Sequence, residues 1–188
     1  MEFEKINVIC PAKTGVAFNE AEILGLIVWL FMHSGAHKEL PIMDMPVVLL
    51  PAIKNGQFIL GLEGDKPVFF MSWAEMDAAA EARYIDQPPE IMPLADWQSG
   101  DRTWCLDWVT PFGHSHSLSR LVRQKLFSDS CLRSLYHRGD KKGMRIMNFH
   151  GRLLTHQQAK QWFDEHPIIN SDVALPEIGE ATSQTKYA

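Results

Sequence analysis

The chain has 188 residues, of which 46% are hydrophobic and 22% charged, which excludes a disordered or fibrous protein and predicts one globular domain with a full core. The net charge of -5 argues against a general nucleic-acid binder, and no apolar run is long enough to span a bilayer. The three cysteines are widely spaced and form no CxxC pair or metal-type cluster, and the N-terminus lacks an export signal, so the expected compartment is the cytoplasm.

Both ends of the chain are predicted to lie outside the folded domain. Residues 1–18 show no lasting hydrophobic period and contain Pro11 and Gly15, so they are expected to form a loosely ordered lead-in. Residues 168–188 are polar and contain proline and glycine, which is typical of a disordered tail. The folded domain is therefore predicted to span residues 19–167.

A largely buried helix is predicted at the start of this domain. Asn19 is a good N-cap, acidic residues occupy the first turn, and apolar residues continue to the Ser34-Gly35 stop. His37 follows in a loop or a second short helix, where it is expected to be exposed in a cleft rather than packed in the core. A histidine in such a position is either surface decoration or a functional base, and His33 is an equally free candidate.

Three strand-like segments come next, joined by the tight-turn signals Asn55-Gly56 and Gly64-Asp65. A helix is then predicted to start at Ser72 or Trp73 and to end at Pro88-Pro89. The three predicted strands are Met45–Ile53, Gln57–Leu62 and Pro67–Trp73.

The segment from Thr103 to Val109 is predicted to be a buried strand, and it contains a carboxylate, Asp107. A buried carboxylate needs a partner, because burying an unpaired charge costs several kcal/mol. Asp107 is therefore either structural or orients a catalytic histidine. The helix predicted from Ser115 to Phe127 would place an N-terminus, which favours anions, beside the end of this strand.

The last third of the domain continues the alternation of strands and helices. Two strands, Cys131–His137 and Met144–His150, flank a basic turn at 138–143, and Thr155 caps a helix from Gln157 to His166. The order of all elements predicts an α/β fold: one domain with a central mixed, mostly antiparallel sheet, a single crossover near its middle and flanking helices.

Positive charge is concentrated in one part of this acidic chain. The segment from Ser115 to Arg145 contains eight basic and two acidic residues. Such a segment either attracts an acidic partner or forms a solvated helix face with a basic loop.

The two most specific strings of this sequence are Ser-Gly-Asp-Arg-x-Trp from Ser99 and Asp-Trp-x-x-Pro-Phe-Gly from Asp107. Together with other strings, they resemble one family, the RTX toxin-activating lysine acyltransferases, and the resemblance covers roughly residues 23–163. The chain departs from the family pattern at Gly35, where members often have proline. The other strings are Leu50-Pro51-Ala52-Ile53, Ser72-Trp73-Ala74 and Phe149-His150-Gly151.

This resemblance implies a fold like that of the Gcn5-type N-acetyltransferases and a cytoplasmic, homodimeric enzyme. It also implies transfer of a fatty acyl group from acyl carrier protein to internal lysines of an RTX protoxin, with no bound cofactor or metal. The catalytic pair of the family maps onto His37 and Asp107, and a family serine maps onto Ser34. The turn at residues 111–116 holds one glycine, unlike the glycine-rich pyrophosphate loop of coenzyme A-dependent enzymes, which is consistent with acyl carrier protein as the donor.

The reaction implied by this resemblance needs a base, because a lysine with the reference pKa of about 10.4 is neutral in only about one molecule in 2,500 at pH 7. His37 is predicted to take the proton and Asp107 to hold its ring. Backbone N–H groups near Gly113 and Ser115 are candidate oxyanion donors. Ser34 is expected to position His37 or the pantetheine arm, and an acyl-enzyme route through Ser34 or His37 stays open.

The predicted docking site for the acidic carrier protein is the basic face of the helix, formed by Arg120, Arg123 and Lys125. Two other functions remain possible: an acyl-coenzyme A-dependent N-acyltransferase that acts on another amine, or a non-catalytic protoxin-binding chaperone. The predicted retention of both a base and its orienting carboxylate argues against the chaperone.

Overall fold

One sheet of eight strands runs through the part of the chain that the computed structural model describes, residues 1–86, 92–136, 145–168 and 174–178. The strands are adjacent in chain order, and every neighbouring pair is antiparallel except β5–β6 and β7–β8. The predicted mixed, mostly antiparallel α/β sheet is thereby confirmed. The strands are β1 (Glu2–Phe3), β2 (Ile6–Ile9), β3 (Phe58–Glu63), β4 (Lys66–Met76), β5 (Arg102–Val109), β6 (Cys131–Leu135), β7 (Arg145–His150) and β8 (Ala174–Ile178).

Helices flank this sheet on both faces. A π-helical turn, Val122–Leu126, extends the sixth helix, and Ile42–Asp44 and Leu94–Trp97 form 3-10 turns. Within the described ranges, no helix combines the length and the apolar character needed to cross a membrane. The α-helices are α1 (Pro11–Thr14), α2 (Glu20–Met32), α3 (Met45–Val48), α4 (Leu50–Lys54), α5 (Ala78–Asp86), α6 (Ser115–Leu121) and α7 (His156–Glu165).

Two of the helix starts follow the predicted capping. The Asn19 side chain accepts a hydrogen bond from the Glu22 amide at 3.0 Å, so it satisfies one of the free N–H groups at the start of α2. Thr155 forms a reciprocal capping box with Gln158 at the start of α7.

The segment Met45–Ile53, predicted to be a strand, is helical instead and forms α3 and α4. Pro46 and Pro51 each lie in a first helical turn, where proline's missing N–H and fixed φ are tolerated. A short apolar run does not distinguish a buried strand from a buried helix, which explains the error. Asn55-Gly56 therefore ends α4 rather than joining two strands, and Gly56 supplies the left-handed conformation with φ of 66°.

The helix predicted to start at Ser72 or Trp73 begins later. β4 continues to Met76, and Asp77 then accepts a hydrogen bond from the Ala80 amide at 2.7 Å at the start of α5. The β4 sequence is buried on both faces, so its apolar residues lack the alternation that separates a strand from a helix. The predicted Pro88-Pro89 stop and the basic turn at 138–143 lie outside the described residues.

At both ends of the chain, the structure differs from the prediction. The lead-in contains β1, β2 and α1, and Ile6, Val8 and Cys10 are buried against the sheet. In the segment predicted to be a disordered tail, residues 174–178 form β8, which pairs in parallel with β7. The sheet therefore has a second crossover, through α7, beside the predicted one through α6.

The core lies on both faces of the sheet. One cluster packs α6 and the π-helical turn against β2, β4 and β5, and it includes Leu118, Leu121 and Phe127. On the opposite face, α2 and α4 cover β3 and β4. Asp107 and the residues around it lie at the C-terminal end of β5, between these layers.

A buried ion network ties α5 to the centre of the sheet, and we call it the Glu81 network (Glu81, Arg102, Arg133). The Glu81 carboxylate accepts hydrogen bonds from Arg133 Nη1 at 2.5 Å, from Trp104 Nε1 at 2.9 Å and from Arg102 Nη1. Burial lowers the pKa of Arg133, which Glu81 opposes by charge and hydrogen bonding. The network links β5 to β6 at the N-terminal end of β5, where the two strands pair in parallel.

Candidate active site

His37 lies in the turn that follows α2, and its imidazole is fixed from two sides. The Ser34 hydroxyl is 2.8 Å from His37 Nδ1. The ring stacks on Phe31, with 4.6 Å between ring centroids and 29° between ring planes. Backbone amides of His37 and Lys38 donate to the Ser34 carbonyl, so the turn itself keeps this serine and histidine together. His37 therefore lies just past the helix end, as predicted, in a turn that holds its ring in a defined orientation.

Asp107 points toward His37 because β5 contains a bulge. Ser72 of β4 pairs with Asp107, whereas the next residue, Trp73, pairs with Cys105, so Leu106 is an extra residue. Strict alternation would place Asp107 on the same face as Cys105, which packs toward α6. The bulge instead turns Asp107 to the opposite face, where α2 and Phe31 pack.

The partner of the Asp107 carboxylate within the sheet is Ser72. The Ser72 hydroxyl is fully buried and donates to Asp107 Oδ2 at 2.5 Å. A hydrogen bond to an ionised acceptor is stronger than a neutral one, and it fixes the direction of the carboxylate. Asp107 Oδ1 is left facing His37.

The two predicted catalytic side chains come together at the surface of the sheet. His37 Nε2 is 3.5 Å from Asp107 Oδ1, and the two side chains are 20% and 14% exposed. This separation is slightly longer than a hydrogen bond. The four side chains form one continuous line, Ser34–His37–Asp107–Ser72, which a reactant can reach from solvent.

The sheet is open next to this line. β5 pairs with β6 only at Thr103, Trp104 and Cys105, although β5 continues to Val109. Among the described residues, no strand pairs with the last four residues of β5 along the edge that faces β6. Unpaired strand edges accept extended ligands through backbone hydrogen bonds, so this edge can hold a linear substrate beside Asp107.

Gly113 and Ser115, the predicted sites of oxyanion donors, lie in the turn after β5. The Gly113 amide donates to the Thr110 carbonyl at 3.3 Å, so it is already used within the turn. The Ser115 hydroxyl accepts from Trp108 Nε1 at 3.0 Å and links the start of α6 to β5. The amides in the first turn of α6 remain candidates for this role, whereas that of Gly113 does not.

Arg120, Arg123 and Lys125, the predicted docking residues, lie on α6 and its π-helical turn. Arg120 forms an ion pair with Glu4 at 2.5 Å, and Arg123 Nε donates to the His150 carbonyl at 3.3 Å. Arg120 and Lys125 are exposed and Arg123 is half-buried. The basic face therefore exists, but one of its charges is already paired.

Sequence reasoning assigned no role to Ser72 or to Phe31. A signal for Ser72 was present, since a serine between Met71 and Trp73 in an apolar strand needs a partner as Asp107 does. Phe31 had no such signal, because an apolar residue on a buried helix face is ordinary core.

Cys105 is not a thiolate nucleophile in this site, although it lies two residues from Asp107. Burial, and secondarily the negative charge of Asp107, raise the pKa of the Cys105 thiol, so the thiol stays protonated near neutral pH. In the described part of the chain, no group of three or more His, Cys, Asp or Glu side chains is arranged to hold a metal ion.

Most of this chain is similar in sequence to known proteins. The sequence model of the RTX toxin acyltransferase family matches residues 16–150. The protein-lysine myristoyltransferase RtxC of Kingella kingae is 35% identical over 143 residues, which cover 76% of this chain and 84% of the relative. The leukotoxin-activating lysine-acyltransferase LktC serotype A1 of Mannheimia haemolytica is 37% identical over 145 residues, 77% of this chain and 86% of the relative. The protein-lysine myristoyltransferase HlyC of Escherichia coli is 34% identical over 147 residues, 77% and 84%.

Proposed function

Because the chain belongs to the RTX toxin acyltransferase family, we propose that this acyltransferase moves a fatty acyl chain from acyl carrier protein to internal lysines of an RTX protoxin and so activates it. The names of its relatives support lysine as the acceptor and a toxin as the target. The observation that best supports the proposed reaction is the short distance between His37 Nε2 and Asp107 Oδ1 at the open end of β5.

In the proposed reaction, the neutral amine of the target lysine attacks the thioester carbonyl carbon of the acyl donor. The N–C bond forms, the lysine nitrogen loses one proton, and the C–S bond then breaks to release the thiol of the carrier. His37 takes the proton from nitrogen and returns it to the leaving sulfur, so it is the general base and then the general acid. Asp107 stabilises the imidazolium that exists between these two steps.

Ser34 has a defined place in this proton path. If His37 carries its proton on Nε2, which faces Asp107, then Nδ1 is the acceptor, and the Ser34 hydroxyl occupies it at 2.8 Å. The lysine proton then reaches Nδ1 through the Ser34 hydroxyl or after displacing it. Ser34 thus relays a proton or admits the amine, rather than only holding the ring.

The donor is proposed to reach the site along the unpaired edge of β5. The pantetheine arm of acyl carrier protein is extended and carries amide groups, which suit an open strand edge. The carrier is acidic, so Arg123 and Lys125 would attract it and orient the arm toward Asp107. We place the reaction in the cytoplasm, where acyl carrier protein and an unsecreted protoxin meet, and we expect a homodimer.

The test is acylation of an RTX protoxin by purified enzyme and acyl carrier protein that carries a myristoyl group, read by mass spectrometry of lysine-containing peptides. His37→Ala and Asp107→Ala should each lower the rate by about 100-fold or more, because general-base catalysis contributes about two to four orders of magnitude. Arg123→Glu and Lys125→Glu should raise the apparent KM for the carrier. Wild-type rates for both His37→Ala and Asp107→Ala would refute the catalytic pair.

Myristoyl-coenzyme A serves as a second donor in the same assay. Coenzyme A lacks the acidic protein surface, so the charge reversals should affect transfer from acyl carrier protein more than transfer from coenzyme A. Faster transfer from coenzyme A, with no effect of either charge reversal, would favour a coenzyme A-dependent enzyme instead.

A two-step route through an acylated Ser34 is the second candidate mechanism. The contact between Ser34 Oγ and His37 Nδ1 at 2.8 Å is the geometry of a nucleophile and its base. On this route the acyl group forms an ester with Ser34 before the lysine attacks. Incubation with the acyl donor in the absence of protoxin would then add one acyl mass to the enzyme, and hydroxylamine would remove it.

A further inference from the structure

The first fourteen residues of this chain form a structured addition to the sheet, outside residues 16–150 that the family model matches. β1 and β2 form a hairpin, and β2 pairs with β3, which adds two strands to the edge of the sheet. Glu4 and Lys5, the two residues of the hairpin turn, have φ of 50° and 69°. Side chains other than glycine, asparagine and aspartate rarely adopt this left-handed region, so the surrounding structure holds this turn in place.

This hairpin packs beneath the helix that carries the basic face. Ile6, Val8 and Cys10 lie in the same buried cluster as Leu118 and Leu121 of α6. The position of the hairpin relative to α6 is therefore fixed by core packing rather than by a surface contact alone.

Two charged side chains of this N-terminal segment lie against the helix that carries the basic face. The Glu4 carboxylate pairs with Arg120 Nη1 at 2.5 Å, and both side chains are partly exposed to solvent. At the other end, Lys13 Nζ lies 4.4 Å from the centroid of the Phe127 ring, directly after the π-helical turn that carries Arg123 and Lys125. Glu4 thus neutralises Arg120, while Lys13 places a positive charge over the residue that follows the π-helical turn.

We propose that the N-terminal segment 1–14 shapes the surface on which the acidic carrier protein lands, with Glu4 masking Arg120 and Lys13 extending the basic face beside Arg123 and Lys125. This inference rests on the proposed function. An acidic protein is attracted to unpaired positive charge and must compete with Glu4 for Arg120. The landing site is consequently displaced from the Arg120 end of the helix toward the Lys13 end.

The test measures the apparent KM for myristoyl-acyl carrier protein at low ionic strength in four variants. Glu4→Gln should lower the KM about two- to fivefold, because it leaves the positive charge of Arg120 unpaired and an exposed charge of this kind contributes only modestly to binding. Lys13→Gln should raise the KM by a similar factor. Arg120→Gln should raise the KM, because it leaves the Glu4 carboxylate unpaired, and the double variant should return to near the wild-type KM, because the pair then carries no net charge, as it does in the wild type.

Glu2→Gln is the matched control, because it removes one negative charge from the same hairpin, and Glu2 has no ion pair among the described residues. Its effect should be smaller than that of Glu4→Gln, and all differences should shrink in about 0.5 M salt, where charges are screened within about 4–5 Å. Thermal unfolding of each variant verifies that the hairpin is retained.

The outcomes separate the two proposals. If Arg123→Glu and Lys125→Glu raise the KM but Glu4→Gln and Lys13→Gln leave it unchanged, or shift it in the same direction, the role of the N-terminal segment is refuted and the proposed function stands. If transfer from acyl carrier protein is not observed, or neither charge reversal affects it, the docking surface itself is refuted and this inference with it.

Discussion

Removal of the Ser72 hydroxyl should slow acyl transfer although Ser72 does not contact a substrate. In Ser72→Ala, Asp107 Oδ2 loses a hydrogen bond of 2.5 Å inside the sheet, where Ser72 has no exposure to solvent. The carboxylate would then turn toward another donor or toward water, and the approach of Oδ1 to His37 Nε2 at 3.5 Å would lengthen.

The size of the effect follows from the charge on the acceptor. A hydrogen bond to a charged group contributes about 1.5–3 kcal/mol. If this contribution is lost from the transition state, kcat/KM falls about 10- to 150-fold, since each 1.36 kcal/mol corresponds to tenfold in rate. The loss should appear in kcat rather than in the KM for acyl carrier protein, because Ser72 orients a catalytic group and binds no donor.

The assay is the protoxin acylation described above, with urea unfolding of each variant beside it. Ser72→Cys keeps a weak donor and should fall between the wild type and Ser72→Ala. Ser99→Ala is the control: its hydroxyl accepts from the Asp77 amide at 2.8 Å, so its loss removes about 1 kcal/mol of stability and should leave kcat unchanged. A kcat for Ser72→Ala within twofold of the wild type, or a decrease explained wholly by unfolded protein, would refute the positioning role.

Three other perturbations test separate parts of the structure. Glu81→Leu should destabilise the protein by about 3–5 kcal/mol in urea unfolding, because the two arginines of the Glu81 network lose a buried counter-charge. Glu39 is exposed, so Glu39→Gln should change the free energy of unfolding by less than about 0.5 kcal/mol. Equal effects of the two substitutions would contradict a stabilising role of the Glu81 network. Burial raises the pKa of Cys10 from 9.0 to about 11, so as the pH rises the thiol ionises in the unfolded state before it ionises in the folded state. The contribution of the Cys10 thiol to stability is therefore intact below pH 9 and should decline between pH 9 and 11. Cys10→Ala should flatten that decline in the free energy of unfolding. Ser34→Ala should lower kcat about tenfold if Ser34 relays a proton and should abolish transfer if it is the acylated nucleophile, while wild-type kcat would exclude both roles.

Local signals in the sequence determined a large part of this protein. The Asn19 cap, the Ser34-Gly35 stop and the apolar residues between them are sufficient to predict α2, because capping and helix period act within a few residues. The apolar run around Asp107 likewise predicts β5, and the strings around Ser99 and Asp107 are specific enough to indicate the family. The unpaired carboxylate in β5 already required a partner close by.

The family resemblance named His37 as that partner, but only the tertiary structure shows how the two side chains meet. Asp107 faces His37 because one extra residue, Leu106, shifts β5 against β4, and a shift of one residue reverses the face on which every later side chain lies. The Ser72 hydroxyl reaches Asp107 across 35 positions of sequence, and this contact depends on the same register. Packing of distant segments likewise made α3 and α4 helical where an apolar run predicted a strand. Long-range register and packing are properties of the whole sheet, so no local pattern of residues contains them.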